Sequence, residues 1–170
     1  MDDRRVVWIT DALEAIVLTD DQLLGPERPL TLSRPKPAAG PATTLAAVRV
    51  LVVDDNALVR AVLTTLLEAY GASVTSVGST ADALRLLLLE RPDVLLTDLS
   101  LPEEDRVTLI RQVRALSPEH GGRTPAALLT DSPPPSIART CCAWDFQFYL
   151  AKPVNAGELV AAVAILATKE

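Results

Sequence analysis

Val50-Leu51-Val52-Val53-Asp54-Asp55 is a short apolar run that ends in two carboxylates. Runs of this kind, separated by helical patterns, predict buried parallel strands. Three more runs each lead into a polar residue: 94–97 before Asp98, 126–129 before Thr130, and 148–151 before Lys152. Because the carboxyl ends of parallel strands share one edge, where ligands bind, we expect these polar groups to meet in one crevice. Such a crevice suits a divalent cation and a phosphoryl group.

The alternation of strand and helix patterns predicts an α/β fold with a parallel sheet covered on both faces. The predicted strands lie near 48–54, 73–77, 93–98, 125–130 and 147–151, and the predicted helices near 57–70, 80–90, 104–116, 136–144 and 155–167. Asn56, Thr80 and Asn155 are the predicted N-caps of the first, second and last helices. The inward faces are predicted from helical spacing: Val59, Val62, Leu63, Leu66 and Tyr70 in the first helix, and Leu159, Val163 and Leu166 in the last.

The N-terminal part of the chain differs in composition from the rest. Residues 35–47 form a linker rich in Pro and Ala, which divides an extension over 1–34 from the domain over 48–170. Two apolar segments of the extension, 6–11 and 29–35, suggest two strands that flank a short helix. Their resemblance to 128–131 and 149–153 suggests either a truncated second copy of the fold or chance similarity, and we favour chance.

Composition excludes several classes of protein. A net charge of −6 and the lack of a basic cluster argue against a nucleic-acid surface. The apolar run 86–89 is too short to span a bilayer, and the acidic start of the chain is unlike a signal peptide, so we expect a cytoplasmic protein. Cys141 and Cys142 are adjacent and have no spaced Cys or His partners, so they predict neither a zinc site nor a disulfide framework.

Electrostatics predicts what the crevice binds. Two carboxylates about 4 Å apart repel by roughly 4 kcal/mol at an effective dielectric near 20, so Asp54, Asp55 and Asp98 require a cation or shifted pKa values. Mg²⁺, or Mn²⁺ in its place, suits a site of this kind. Asp98 could then attack a phosphoryl donor, while Lys152 neutralises charge and the Thr130 hydroxyl donates to a phosphoryl oxygen.

Over residues 48 to about 167 this arrangement resembles the response-regulator receiver domain of bacterial two-component signalling. The resemblance implies a doubly wound (βα)5, flavodoxin-like sheet with strand order 2-1-3-4-5. It also implies a role for each matching residue. Asp54 and Asp55 would hold the metal, Asp55 directly and Asp54 partly through water, and Ser100 would contribute its backbone carbonyl. Asp98 would be the phosphoacceptor, Thr130 and Tyr149 the switch residues, and Lys152 the contact to the phosphate, with a cis peptide bond to Pro153.

The resemblance also implies the partners. A histidine kinase or a histidine phosphotransfer protein would phosphorylate Asp98, and the face of the last two predicted helices would report this to an unidentified output protein. No enzymatic activity is expected beyond the domain's own phosphorylation and dephosphorylation. We expect either a stand-alone receiver or the terminal receiver of a hybrid kinase. The small residues Ala161, Ala162 and Ala164 would permit a homodimer through the last helix.

The chain departs from the family at several positions. Asp131 follows Thr130 where the family usually has a small residue, and Glu103 and Arg106 stand where it usually has Gly. A positive φ at Arg106 would cost energy. These departures support an alternative function, a pseudo-receiver that binds partners without being phosphorylated. A phosphatase of the haloacid-dehalogenase type is set aside, because the chain lacks an Asp-x-Asp after the first strand of the domain and has no room for a cap.

Overall fold

A computed structural model describes residues 6–10, 14–18, 44–98, 103–131 and 146–168. The strands are β1 (Val6–Thr10), β2 (Glu14–Leu18), β3 (Arg49–Val53), β4 (Ser73–Val77), β5 (Val94–Asp98), β6 (Ala126–Thr130) and β7 (Phe148–Ala151). The helices are α1 (Ala57–Ala69), α2 (Thr80–Glu90), α3 (Glu103–Ala115) and α4 (Ala156–Ala167), with a 3₁₀ turn at Pro118–His120. None of these helices is long and apolar enough to cross a membrane.

The predicted parallel sheet is confirmed. Strands β4, β3, β5, β6 and β7 lie side by side in that order, which is 2-1-3-4-5 when they are counted within the domain. In the register, Val50 lies opposite Val94, and Leu95 lies opposite Ala126. Each of these five strands begins and ends within about one residue of its predicted bounds. The prediction is accurate because each apolar run is as long as the buried part of its strand.

The N-terminal extension adds two strands to this sheet. β1 pairs in parallel with β7, with Val7 opposite Phe148, and β2 folds back antiparallel to β1. The expected strand near 6–11 is therefore present, and residues 14–18, which lie in the interval where a short helix was expected, form a strand. The run Ala15-Ile16-Val17-Leu18 contains β-branched residues, which favour a strand. The second predicted strand of the extension, at 29–35, lies outside the described residues.

Alternate residues of the central strands pack into two separate cores. Val50, Val52 and Leu96 lie on the face covered by α1 and α4. Leu51, Val53 and Leu95 lie on the face covered by α2 and α3. A strand with both faces covered is apolar along its whole length, which explains the continuous runs in the sequence. Leu45, which precedes β3, is also fully buried in the first core.

Two local predictions need correction. Ser79, not Thr80, is the N-cap of α2: its side-chain oxygen accepts from the Asp82 N–H, while Thr80 is already helical. In α1 the predicted inward residues Val59, Leu63 and Leu66 do pack in the first core. Val62 and Tyr70 were placed wrongly, at 56% and 39% exposure, and Leu67, which was not predicted, is fully buried. Leu63 and Leu67, four residues apart, make the buried stripe.

The predicted caps of the first and last helices and the buried face of the last are confirmed, but Ala162, expected to face a second copy of the chain, is fully buried in the first core. Asn56 and Asn155 cap α1 and α4 through their side-chain oxygens, and Leu159, Val163 and Leu166 are buried. Arg106 lies within α3, so the strain expected from a positive φ does not arise. The helix predicted over 136–144, together with Cys141 and Cys142, lies outside the described residues.

Candidate functional site

The carboxyl edge of the sheet gathers the polar residues that end its strands. Asp98 and Thr130 are the last residues of β5 and β6, while Asp54 and Lys152 directly follow β3 and β7. Asp54, Asp98 and Thr130 are almost wholly buried, at 0%, 1% and 1% exposure. Buried polar groups are costly unless they are paired, so this edge carries a site rather than a solvated turn.

Three carboxylates form the acidic centre of this site. One carboxylate oxygen from each of Asp54, Asp55 and Asp98 lies within 4.8 Å of the other two. The Asn56 N–H donates to Asp54 Oδ1 at 2.8 Å, which fixes that carboxylate. Asp55 is exposed, so the cluster opens to solvent on its side.

Lys152 bridges the two buried carboxylates. Its Nζ lies 2.8 Å from Asp98 Oδ1 and 3.3 Å from Asp54 Oδ2. Burial by itself lowers the pKa of Lys152, but the hydrogen bond and charge of Asp98 and the charge of Asp54 outweigh it, so the pKa lies above its ordinary value. The ammonium group is therefore charged at neutral pH.

The residues present fit a divalent cation. Three carboxyl groups converge on a small volume in which one ammonium group lies. Oxygen donors of this kind are the ligands that hard cations such as Mg²⁺ and Mn²⁺ take in proteins. The exposed side at Asp55 would leave room for the waters that Mg²⁺ keeps when it binds.

The remaining predicted site residues lie at this edge, within β7 or outside the described residues. The backbone of Tyr149 lies in β7, paired in register with Leu128. The Lys152–Pro153 peptide bond is cis, as expected. Asp131 directly follows Thr130 and is exposed. Ser100 lies outside the residues that the structure describes.

Arg60 also belongs to this site, and the sequence analysis missed it. Its Nη1 donates to the backbone carbonyl of Asp54 at 2.7 Å and to that of Asp55 at 3.1 Å. A signal was available in the sequence. A cation in the first turn of a helix opposes the helix dipole, so an arginine four residues after the N-cap calls for a compensating contact.

Comparison with known proteins agrees with this geometry. The family model for the response regulator receiver domain matches residues 50–164. The chain belongs to this receiver-domain family. Receiver domains of two-component signalling carry their acidic pocket at this edge of the sheet, where Asp54, Asp55 and Asp98 lie here.

Two curated relatives of very different length match this chain. An uncharacterized 14.6 kDa protein of Leptolyngbya boryana is 38% identical over 117 residues, which is 69% of this chain and 88% of the relative. The sensory/regulatory protein RpfC of Xanthomonas campestris is 32% identical over 119 residues. That match covers 70% of this chain but only 16% of RpfC, so the likeness is confined to a small part of the larger protein.

Two solved structures show the same receiver fold. The receiver domain of the sensor histidine kinase PA1611 from Pseudomonas aeruginosa, solved with magnesium in its active-site cleft, is 30% identical with a TM-score of 0.63. The match covers 72% of this chain and 98% of that one. The chemotaxis protein CheY4 of Vibrio cholerae is 25% identical with a TM-score of 0.65, and the match covers 71% of this chain and 99% of that one.

Proposed function

We propose that this receiver domain is a phosphoacceptor, and that Mg²⁺-dependent phosphorylation of Asp98 is its signalling step. The observation that carries the proposal is the Lys152 ammonium group, which lies 2.8 Å from Asp98 Oδ1 while also bridging to Asp54. A buried carboxylate with a cation on one side and two more carboxylates beside it is arranged to receive a phosphoryl group together with a divalent metal ion.

The transfer needs one bond to form and one to break. A carboxylate oxygen of Asp98 attacks phosphorus, the P–N bond of a phosphohistidine breaks, and its electron pair returns to the imidazole nitrogen, which then takes up a proton. The Lys152 ammonium group keeps its proton and offsets charge on the phosphoryl oxygens. The Thr130 hydroxyl donates to one of those oxygens. A bound cation supplies the remaining charge neutralisation.

Each predicted residue keeps its role in this proposal. Asp54, Asp55, Asp98 and the Ser100 carbonyl hold Mg²⁺ or Mn²⁺, and Thr130 and Tyr149 report the modification to a partner. The donor would be a histidine kinase or a histidine phosphotransfer protein in the cytoplasm. We also propose the domain limits: an extension over 1–34, a linker over 35–47 and a receiver over 48–170. Burial of Leu45 anchors the end of that linker to the domain.

Intact-mass spectrometry after incubation with Mg²⁺ and acetyl phosphate tests the proposal. We expect a single phosphoryl adduct on the parent protein, and none after addition of EDTA or in Asp98→Asn. Glu119→Gln is the charge-matched control, since Glu119 is exposed in the 3₁₀ turn before β6, at the other end of the sheet. Absence of an adduct from a protein that binds Mg²⁺ would refute the phosphoacceptor function.

The alternative function is a pseudo-receiver, which would engage a partner without phosphorylation. Asp131 is the observation in its favour, because its exposed carboxylate directly follows Thr130 and adds negative charge at the site edge. An incoming phosphoryl donor is itself an anion and would be repelled. The pseudo-receiver predicts Mg²⁺ binding with no adduct, which is the result that refutes the phosphoacceptor.

A further inference from the structure

The loop between β3 and α1 carries two of the three carboxylates, and its backbone is held from outside the loop. The Asp54 N–H donates to the Val77 carbonyl at the end of β4. The Asp54 side chain has two further partners, the Asn56 N–H and Lys152. Asp55 is held through its backbone carbonyl, which accepts a hydrogen bond from Arg60, and within the described part of the chain its side chain makes no hydrogen bond.

We propose that Arg60 is a positioning residue for the metal site, which orients Asp55 by holding the peptide groups of the acidic pair. Its Nη1 lies between the carbonyls of Asp54 and Asp55, at 2.7 and 3.1 Å. Both backbone carbonyls point at the guanidinium group, and the carboxylates of the same two residues lie close to that of Asp98. The inference rests on the proposed metal binding of this cluster.

Gly78 supplies the room that Arg60 needs. A Cβ atom at position 78 would lie 3.0 Å from Arg60 Nη1, which is tighter than ordinary van der Waals contact, so the guanidinium group would have to shift by a few tenths of an ångström. The backbone of Gly78 does not have a positive φ, so alanine fits the local conformation there. Gly78→Ala therefore perturbs the guanidinium group without removing its charge.

Metal affinity measured by titration calorimetry with MgCl₂ separates positioning from charge. Groups that orient metal ligands typically contribute 10- to 100-fold to affinity, so Arg60→Met should weaken Mg²⁺ binding by about tenfold or more. Arg60→Lys keeps the charge but lacks the fork of donors, so it should recover only part of the loss. Gly78→Ala should weaken Mg²⁺ binding by roughly threefold in the parent protein. It should have no effect in the Arg60→Met background, because substitutions of two residues in contact are not additive when one acts through the other.

The control is Arg85→Met, which removes an exposed arginine that pairs with Asp82 on α2. Urea unfolding in EDTA checks that the variants are folded, and if Arg60→Met is not, Arg60→Lys and Gly78→Ala carry the test. Equal Mg²⁺ affinity in parent, Arg60 and Gly78 variants would overturn the positioning role alone. Failure of the parent protein to bind Mg²⁺ would overturn the proposed function, and the positioning role with it. Full recovery in Arg60→Lys would assign the effect to charge and overturn positioning as well.

Discussion

Charge imbalance at the acidic cluster is the main residue-level feature of this protein. Asp55 belongs to the cluster but is exposed and lies beside two buried carboxylates, of which Lys152 contacts both. Removing its charge should relieve repulsion when no metal is bound. Asp55→Asn should therefore raise the free energy of unfolding in EDTA by up to about 1 kcal/mol, the usual scale for exposed charges.

In MgCl₂ the order of stability should reverse. A ligand that binds only the folded state at 100 times its Kd stabilises it by about 2.7 kcal/mol, and Asp55→Asn should lose most of that gain. Urea unfolding with EDTA or with MgCl₂ measures both effects, and Glu119→Gln controls for loss of one negative charge. An equal Mg²⁺ response in parent and Asp55→Asn would remove Asp55 from the metal site.

Lys152 should stabilise the fold by pairing with the buried carboxylates. Lys152→Met leaves Asp54 and Asp98 without this cation, and breaking a buried pair costs about 3–5 kcal/mol. The pKa of Lys152 is raised in the folded protein. Its contribution to stability is therefore complete at pH values below its pKa in the unfolded chain, and it is lost as the pH rises through its pKa in the folded protein. The difference between parent and variant should hold constant from about pH 7 to 9.5 and shrink above about pH 10.5.

Urea unfolding in EDTA across that range measures the difference, with Lys152→Arg as the charge-retaining control. A stability difference that already declines between pH 7 and 9 would mean that the pKa of Lys152 is not raised in the folded protein.

Asp131 should slow phosphorylation by an anionic donor. Since its carboxylate is exposed, it is screened, and its removal should raise the rate with acetyl phosphate by roughly two- to threefold at low salt. Time courses of the mass adduct for parent and Asp131→Ala, in low and high salt, measure this. The difference should nearly disappear in high salt, and a salt-independent difference would point to a steric effect instead.

The residues of the site were predictable because parallel strands end at one edge. Asp54, Asp98, Thr130 and Lys152 each end or follow an apolar run, so strand order and burial alone bring them together. Arg60 was not predicted: its place in the first turn of α1 indicates that it needs a compensating contact, but its partners are backbone carbonyls, which a pattern of side chains does not identify. The specific roles of Tyr149 and Ser100 came from family resemblance and stay predictions.

Helix boundaries show how far local chemistry can be predicted at the level of elements. Ser79 and Thr80 are both good N-cap residues, but only Ser79 has an acidic residue, Asp82, three positions later, as in a capping box. The structure selects Ser79, which has extended φ and ψ angles of −133° and 149° and exchanges hydrogen bonds with Asp82. Strands were placed more accurately, since a buried run must end where the sheet meets solvent.

A pair of alanine variants tests the corrected cap. Ser79→Ala removes the acceptor for the Asp82 N–H and should lower the free energy of unfolding by about 1 kcal/mol. Thr80→Ala is the matched control at the first helical position and should change it by less than about 0.5 kcal/mol. Chemical denaturation of the three proteins under one condition provides the comparison. A larger loss in Thr80→Ala would restore Thr80 as the cap.

At the scale of the whole molecule, the central sheet was predictable but its extension was not. Continuous apolar runs indicated a sheet covered on both faces, and the resemblance supplied the strand order. The hairpin of β1 and β2 was missed because an apolar run of four residues such as 15–18 is compatible with helix or strand. Its place beside β7 depends on a contact between residues about 140 positions apart, which the local pattern does not show.

A fragment over 44–170 separates the hairpin from the receiver domain. The two described cores contain residues from 45 to 166, so we expect this fragment to fold and to bind Mg²⁺ with nearly the affinity of the full chain. Compared with the full chain, the fragment lacks the described pairing between β1 and β7, which joins three pairs of residues. At a net value near 1 kcal/mol per hydrogen bond, the free energy of unfolding should fall by about 1–3 kcal/mol.

Hydrogen exchange locates that loss in the molecule. Amide groups of β7 that pair with β1 in the full chain should exchange faster in the fragment, while those of β3 and β5, which lie inside the sheet, should stay protected apart from the global change in stability. Equal protection of β7 in both proteins would show that β1 does not add to the sheet in solution. A fragment that failed to fold would make the hairpin part of the domain, since the central strands would then depend on the pairing at their edge.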